Sequence, residues 1–395
     1  MRAKDVSIWQ IRDILDRAGE KRERKKMDRA GETRTWLEGE GLPFSEAKEL
    51  IDTLREDQVL DEEGFFTLLS GRSEKNASYL FEQASRVREA NFGNGIYLRG
   101  LIEVSSYCRN DCSYCGLRRS NQKAERYRLT EEEILKSADI GFDLGFRTFV
   151  LQGGEDLFYS DEDICRIVSR IRERHPEAAI TLSIGERERE SYQAFFDAGA
   201  DRYLLRHESA DADHYASLHA DGRTLETRIR CLENLKEIGF QLGAGMMVGS
   251  PGQTLQHLVK DLLFLKAHSP QMIGIGPFIP HKDTPYRGEK AGSAELTLYL
   301  LGILRLMFPE GLIPATTALG TIDALGREKG VQAGANVIMP NLSPLSVRSK
   351  YLLYDGKICQ GDEAAECIAC MGRRMERIGC RIAEGRGDAP GWTRR

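Results

Sequence analysis

Beyond Asn94 the chain settles into a repeat that few folds accommodate: short apolar, β-branched runs alternate with longer amphipathic stretches. The runs at 97–105, 147–152, 179–184, 202–206, 241–248, 272–278, 313–317 and 336–339 read as eight strands. Helical periodicity fills the intervals at 130–144, 161–174, 189–198, 224–238, 255–268 and 294–308, and Thr130 with Glu133 has the spacing of a capping box. A seventh interval, from 322 to about 333, is interrupted by Gly326 and Gly330. Alternation of this kind builds parallel sheets. Eight repeats predict an α/β fold, a (β/α)8 TIM-type barrel with its reactive loops at the C-terminal ends of the strands.

Four stretches follow along the chain: a charged helical extension at 1–42, a helical lead-in at 43–94, the barrel at 95–345, and a C-terminal segment at 346–395 expected to form a helical cap. The extension carries the charge run Glu20 to Lys26 and apolar spacing for a short helix at 7–15. In the lead-in, Ser45 is a candidate N-cap for a helix at 46–54, with further helical patterns at 59–69 and 78–90. A net charge of −5 argues against a general nucleic-acid or membrane surface. No apolar run reaches the roughly 18 residues of a membrane span, and no apolar signal region follows Met1. Nine cysteines without a secretory signal read as reduced thiols and metal ligands. The expectation is a soluble, cytoplasmic monomer.

The chemistry-bearing residues collect at one end of the expected barrel. Cys108 to Cys115 follow the first strand, Gly153-Gly154-Glu155-Asp156 the second, and Ser183 ends the third. Arg206-His207-Glu208 end the fourth, Met247 closes the fifth, Pro280-His281 follow the sixth, and Thr316-Thr317 end the seventh. A chance scatter would have divided them between both ends.

Cys108, Cys112 and Cys115 have three and two residues between them, so their thiolates can turn onto one metal centre. Iron–sulfur clusters normally take four cysteines. Three leave one iron open, and an open position separates reactive metal sites from closed structural ones. A zinc knuckle would show a second Cys or His pair about 12–20 residues on, and nothing suitable follows before Cys165 and His175.

This spacing, with Tyr114 before the last cysteine, resembles the radical S-adenosylmethionine (SAM) superfamily. The resemblance implies a [4Fe–4S] cluster whose open iron chelates SAM and whose electron breaks the S–C5′ bond, releasing a 5′-deoxyadenosyl radical. SAM needs backbone carbonyls, carboxylates and a carboxylate-binding Arg. Gly153-Gly154-Glu155 resembles the superfamily's GGE motif, in which backbone close to glycine meets the methionyl amino group. Glu208 is placed for ribose hydroxyls or that amino group, and Arg206 and Arg228 for the methionyl carboxylate. Tyr114, Ser183 and Met247 complete the expected SAM pocket.

The segments 108–119, 202–208, 247–254, 274–281, 313–318 and 333–341 are closer still, and resemble the HydE family of [FeFe]-hydrogenase maturases. The likeness runs from about residue 43 to the C-terminus. It implies a role in building the two-iron subcluster of the hydrogenase. The implied substrate is an iron–cysteine synthon bearing CO and cyanide from the maturase HydG, with the scaffold maturase HydF and an electron donor as partners. The radical would attack the cysteine sulfur instead of taking a hydrogen. Carried over by position, Gln152, Thr181, Arg202, Thr316 and Thr317 would line the substrate end of the cavity. Two departures stand out: Gly153 where family members often have Ser, and His219-Ala220 in place of an Arg-Pro pair.

Some family members carry an accessory iron–sulfur cluster near the C-terminus, which Cys359, Cys367 and Cys370 would hold here; zinc or an empty site is the alternative. Cys165, Cys231 and Cys380 fall in helical patterns and read as small buried hydrophobes. The rival readings are a radical mutase of the 3-methylornithine synthase type, which looks similar over the barrel, and an iron–sulfur carrier, which would need no SAM pocket. Biotin synthase uses cysteines on barrel strands, and the predicted strands hold none.

Overall fold

The computed structural model describes residues 41–219, 222–358 and 368–394. The expected helix at 7–15, the charge run and two of the C-terminal cysteines, Cys359 and Cys367, lie outside the described residues. Three helices lead in: α1 (Phe44–Asp57), α2 (Glu62–Ser70) and α3 (Glu74–Phe92). The Asp61 and Ser73 side chains accept from the Gly64 and Asn76 amides and so start α2 and α3. Ser45 does not cap α1. The helix begins directly after Pro43, whose ring supplies no hydroxyl, and Ser45 falls inside the first turn.

The barrel opens with β1 (Gly95–Leu98) and β2 (Gly100–Ser105), one expected strand broken at Arg99. Then come α4 (Glu131–Asp143), β3 (Thr148–Gly153), α5 (Asp161–Arg174), β4 (Ala179–Ser183), α6 (Arg189–Ala198) and β5 (Arg202–Leu204). The second half holds α7 (Ala212–Leu218), α8 (Leu225–Ile238), β6 (Gln241–Ala244), β7 (Met247–Val248), α9 (Leu255–His268), β8 (Met272–Ile273), β9 (Gly276–Pro277) and α10 (Ala294–Met307). It continues through α11 (Thr317–Ile322), α12 (Gly326–Gln332) and β10 (Val337–Ile338). After it lie α13 (Leu345–Arg348), α14 (Ile368–Glu376) and β11 (Arg381–Ile382).

The strands β2-β3-β4-β5-β6-β8 form one parallel sheet in that order. Single parallel bridges at Met272–Leu312, Pro314–Val337 and Leu101–Asn341 carry the ring on from β8 through 312–315 and back to β2. The strands are buried almost throughout, as an all-parallel sheet covered by helices requires. The helices begin on polar caps: Thr130 with Glu133, Ser160 with Asp163, and Thr254 with His257 all form reciprocal boxes. Among the described residues no helix is long and apolar enough to cross a membrane.

Several elements differ from expectation for local reasons. The runs 241–248 and 272–278 each break in two where Gly245 and Gly274 meet; a Cβ on Gly245 would lie 2.0 Å from the Gly274 carbonyl oxygen. The run 313–317 is held by single bridges, because Thr316 leaves the strand to accept the Leu319 amide and start α11. The glycine-interrupted interval from 322 to about 333 holds only the short α12, and α11 comes before it, starting at the expected end of the strand. The sequence pattern also missed α7, which begins where Asp211 accepts the His214 amide.

Candidate active site

The loop after β2 is tied down by its own charges. The Arg126 guanidinium donates to the carbonyls of Ser106, Leu117, Arg118 and Asn121, and Arg118 forms a bidentate pair with Asp111 at 2.8 and 2.7 Å. Cys108, Cys112 and Cys115, held on this loop, line one cavity of about 360 Å³ at the C-terminal end of the barrel. Burial pushes the Cys108 and Cys115 thiols up, and for Cys115 the neighbouring sulfurs of Cys112 and Cys108 add to it.

The turn after β3 is fastened to that loop. The Glu155 amide donates to Cys108 Sγ at 3.3 Å, and the Arg109 amide donates to the Glu155 carbonyl at 2.9 Å. Gly154 has no room for a side chain, since a Cβ would lie 2.0 Å from the Tyr107 carbonyl oxygen. At Gly153 the nearest atom would be a Val104 methyl at 3.2 Å, a contact a small shift relieves. The Glu155 carboxylate is enclosed: Arg109 Nε at 2.6 Å, Asn110 Nδ2 at 3.0 Å and the Glu186 amide at 3.0 Å all donate to it. Burial raises its pKa, but the Glu186 amide, Arg109, Arg223 and Asn110 outweigh that and hold the carboxyl below its ordinary value. The face of this turn left for a ligand is therefore backbone, at Gly153 and Gly154.

Across the cavity, Arg206 and Glu208 form a fork at 2.9 and 2.7 Å. Glu208 has φ +63°, a left-handed conformation that costs a non-glycine residue energy and that clusters at functional sites. Its amide donates to the Gly245 carbonyl at 3.0 Å, which holds it there. Arg228 lines the cavity but is engaged, with Nε 2.5 Å from Glu186 and a second bond to the Arg206 carbonyl. Tyr114, Ser183 and Met247 also line it, and Tyr114 meets the edge of His219 with ring centroids 5.8 Å apart.

Gln152, Thr316 and Thr317 line the same cavity. Two expected residues are not there. Thr181 is one layer below Ser183 on β4, fully buried, and its hydroxyl has no partner among the described residues. Arg202 is at the opposite end of the barrel, with no exposure. It donates to Thr148 Oγ1 at 3.1 Å, to the Arg386 carbonyl at 2.8 Å and to Asp388 at 2.6 Å. The reason is strand geometry: residues 202, 204 and 206 face the same side, but 202 is about 13 Å below 206 at about 3.3 Å per residue.

Other lining residues went unnoticed in the sequence. Arg223 donates to Cys112 Sγ at 3.1 Å and lies 3.6 Å from Glu155; its turn before α8 gives no motif. Glu103 and Lys357 form a buried pair at 2.5 Å in the floor, with Asn341 donating to Glu103 at 2.9 Å. A carboxylate inside an otherwise apolar strand was the available signal for Glu103; Lys357 lies in a loop and offered none. Cys370 is the third residue of α14 and does not line this cavity. Cys165 and Cys231 are in α5 and α8, while Cys380 is not helical; it is buried in the turn before β11 against Arg88.

The donor set fits an iron–sulfur cluster. Three thiols, Cys112 buried and Cys108 and Cys115 half-buried, line one cavity, with an amide and a guanidinium already aimed at two of the sulfurs. Bound iron would turn the unfavourable thiol cluster into thiolate ligands. Among the described residues no three His, Cys, Asp or Glu side chains are gathered closely enough to hold a metal ion as they stand.

Residues 102–265 match the radical SAM superfamily. The [FeFe] hydrogenase maturase subunit HydE of Thermotoga maritima is 48% identical over 300 residues, covering 76% of this chain and 85% of that protein. The chain belongs to the HydE family. It is a radical SAM enzyme, and membership implies a [4Fe–4S] cluster and SAM. The 3-methylornithine synthase of Methanosarcina barkeri is also similar, at 30% identity over 87% of this chain and 96% of its own. A crystal structure of methylornithine synthase (PylB) superposes with a TM-score of 0.76 at 29% identity, covering 85% of this chain and 97% of that one. The barrel is thus common to both.

Proposed function

We propose that this HydE-family chain acts in [FeFe]-hydrogenase maturation, on an iron–cysteine synthon bearing CO and cyanide. The observation that carries the reading is one cavity that joins the cysteine trio, a glycine turn and the Arg206–Glu208 fork to a separate polar floor. Cys108, Cys112 and Cys115 would hold three irons of a [4Fe–4S] cluster and leave the fourth for SAM. When bound, that cluster supplies the electron that splits SAM into methionine and a 5′-deoxyadenosyl radical.

The protein's own part is to bind, orient and keep water out. The backbone of Gly153 and Gly154 takes the methionyl amino group. Arg206 turns from Glu208 to the methionyl carboxylate, which frees Glu208 for the ribose, and Arg228 fixes Arg206 through its carbonyl. Tyr114, Ser183 and Met247 line the adenosyl side. At the substrate end Gln152, Thr316 and Thr317 face the synthon over the Glu103–Lys357 pair. The synthon would come from HydG and the product pass towards HydF, with Cys359, Cys367 and Cys370 holding an accessory cluster.

The test is to give the reconstituted enzyme the synthon, SAM and a reductant, and to analyse the small molecules by mass spectrometry. The expected product keeps the adenosyl group on the sulfur of the cysteine-derived fragment. Consumption of lysine to a rearranged amino acid, with the synthon ignored, would make the chain a mutase.

A further inference from the structure

The segment that joins α7 to α8 is fastened to the cysteine loop by two separate links. The Ser113 amide donates to the carbonyl of Leu218, the last residue of α7, at 2.9 Å. Arg223, in the turn before α8, donates from its guanidinium to Cys112 Sγ at 3.1 Å. Thr224 accepts the Thr227 amide and caps the helix directly after it. Five residues beyond Arg223, Arg228 reaches the same cavity but meets oxygen, on Glu186 and on the Arg206 carbonyl.

The contact of Arg223 with a sulfur is unlike those of the arginines on the cysteine loop itself. Arg109 turns to Glu155, Arg118 to Asp111 and Arg126 to four backbone carbonyls, all of them oxygen acceptors. Arg223 instead brings a positive charge onto Cys112 from outside the loop. Its side chain is only 16% exposed, so water screens that charge little. The Glu155 carboxylate, 3.6 Å away, does not cancel it, because Arg109 Nε sits closer to that carboxylate, at 2.6 Å. The planar fork allows both contacts: Nη2 meets the sulfur and Nη1 faces the carboxylate.

We infer that Arg223 is a positioning residue that holds the Cys112 sulfur and makes the group on Cys108, Cys112 and Cys115 easier to reduce. The inference rests on the reading of those cysteines as holders of an iron–sulfur cluster. Reduction adds one electron to that group and takes one from an external reductant; no proton moves and no bond breaks. The site thereby gains one negative charge, which a fixed guanidinium on a ligand sulfur favours. Hydrogen bonds to sulfur and nearby charge are levers by which a protein sets such a potential.

The experiment is a redox titration of the reconstituted full chain with dithionite, at fixed pH and without SAM, read by electron paramagnetic resonance. Every sample carries Cys359, Cys367 and Cys370→Ser, so that only one group titrates. At a given potential Arg223→Met should shift the ratio of reduced to oxidised group at least about tenfold towards oxidised, which is about 59 mV for one electron. Iron content and melting temperature should stay as they were. Arg223→Lys keeps the charge and should recover most of the shift, and Arg223→Gln, a donor without the charge, should fall between the two. If Arg223→Met binds no iron, the order of the Lys and Gln variants against the parent decides. A potential unchanged in the Met and Gln variants would overturn the role of Arg223 and leave the cysteine reading intact. So would a drop that Arg223→Lys does not relieve, since packing and not charge would then be what was lost. A parent protein with no reversible one-electron reduction would overturn the cysteine reading, and this inference with it.

Discussion

Arg202 and Arg206 project to the same side of one short stretch of chain, yet they belong to different worlds. At the lower end Arg202 is sealed by the C-terminal residues Arg386 and Asp388, with Gln241 donating to the same carboxylate at 2.6 Å. At the upper end Arg206 faces a cavity and is paired only two residues away, with a glutamate held at positive φ. The lower arginine is matched by partners that arrive from the far end of the sequence and close the barrel. The upper one is matched by a partner in its own turn, two residues on. A buried arginine inside a barrel is therefore no sign of a site; what its partner is attached to decides.

The sharpest way to break this contrast is at the glycine turn that joins the cavity to the cysteine loop. Gly154→Ala would drive a methyl into the Tyr107 carbonyl. The resulting displacement of about 1 Å should cost at least ~100-fold in 5′-deoxyadenosine formation. Gly153→Ser meets only a methyl at 3.2 Å and should stay within a few-fold of wild type. Equal losses in the two variants would mean the turn is not fitted to the loop as described.

The arginines themselves come next. Arg202→Met leaves Asp388 without its buried partner and should cost about 3–5 kcal/mol of stability, with SAM affinity unchanged in the protein that folds. Arg206→Met should do the reverse, weakening SAM binding in a titration with little change in melting temperature. If Arg202→Met weakened SAM binding at constant stability, the two ends would be coupled.

A smaller effect concerns Asp211, which starts α7 behind the rim. Burial raises its pKa, but Lys260 at 2.6 Å, the His214 amide and His257 outweigh this and hold the carboxyl at about 2. A depressed carboxylate contributes stability above the ordinary value of 3.8, and that stability is lost as pH falls from there towards 2. Asp211→Asn should cost about 2 kcal/mol at pH 7 and flatten acid unfolding over that window. The smallest is at the lead-in. Ser73→Ala should cost about 1 kcal/mol, whereas Ser45→Ala, inside a helix it does not cap, should leave the melting temperature where it was.

Much of this was open to reading in the chain because it depends on local pattern. Helices α5, α6 and α9 begin and end where the apolar period puts them. The cysteine trio and the glycine turn are contiguous motifs. What was hidden depends on contacts between distant segments. Strands β6 and β8 end early because two glycines meet across the sheet. Arg202, set below the cavity by its place on the strand, finds its partner in Asp388, 186 residues on. Lys357 entered the floor because Glu103, 254 residues before it, is a carboxylate in an apolar strand. Periodicity gives a side chain's face but not its depth, and depth separates a barrel's plug from its pocket.

The central claim is that one cavity, at the upper rim, brings iron and SAM together through Cys108, Cys112 and Cys115. Electron paramagnetic resonance of the dithionite-reduced protein, with and without SAM, tests it most directly. The account predicts a reduced-cluster signal that SAM shifts in wild type. That shift should persist in the Cys359, Cys367 and Cys370→Ser variant and disappear in the Cys108, Cys112 and Cys115→Ser variant. A SAM-induced shift surviving in the latter would contradict it.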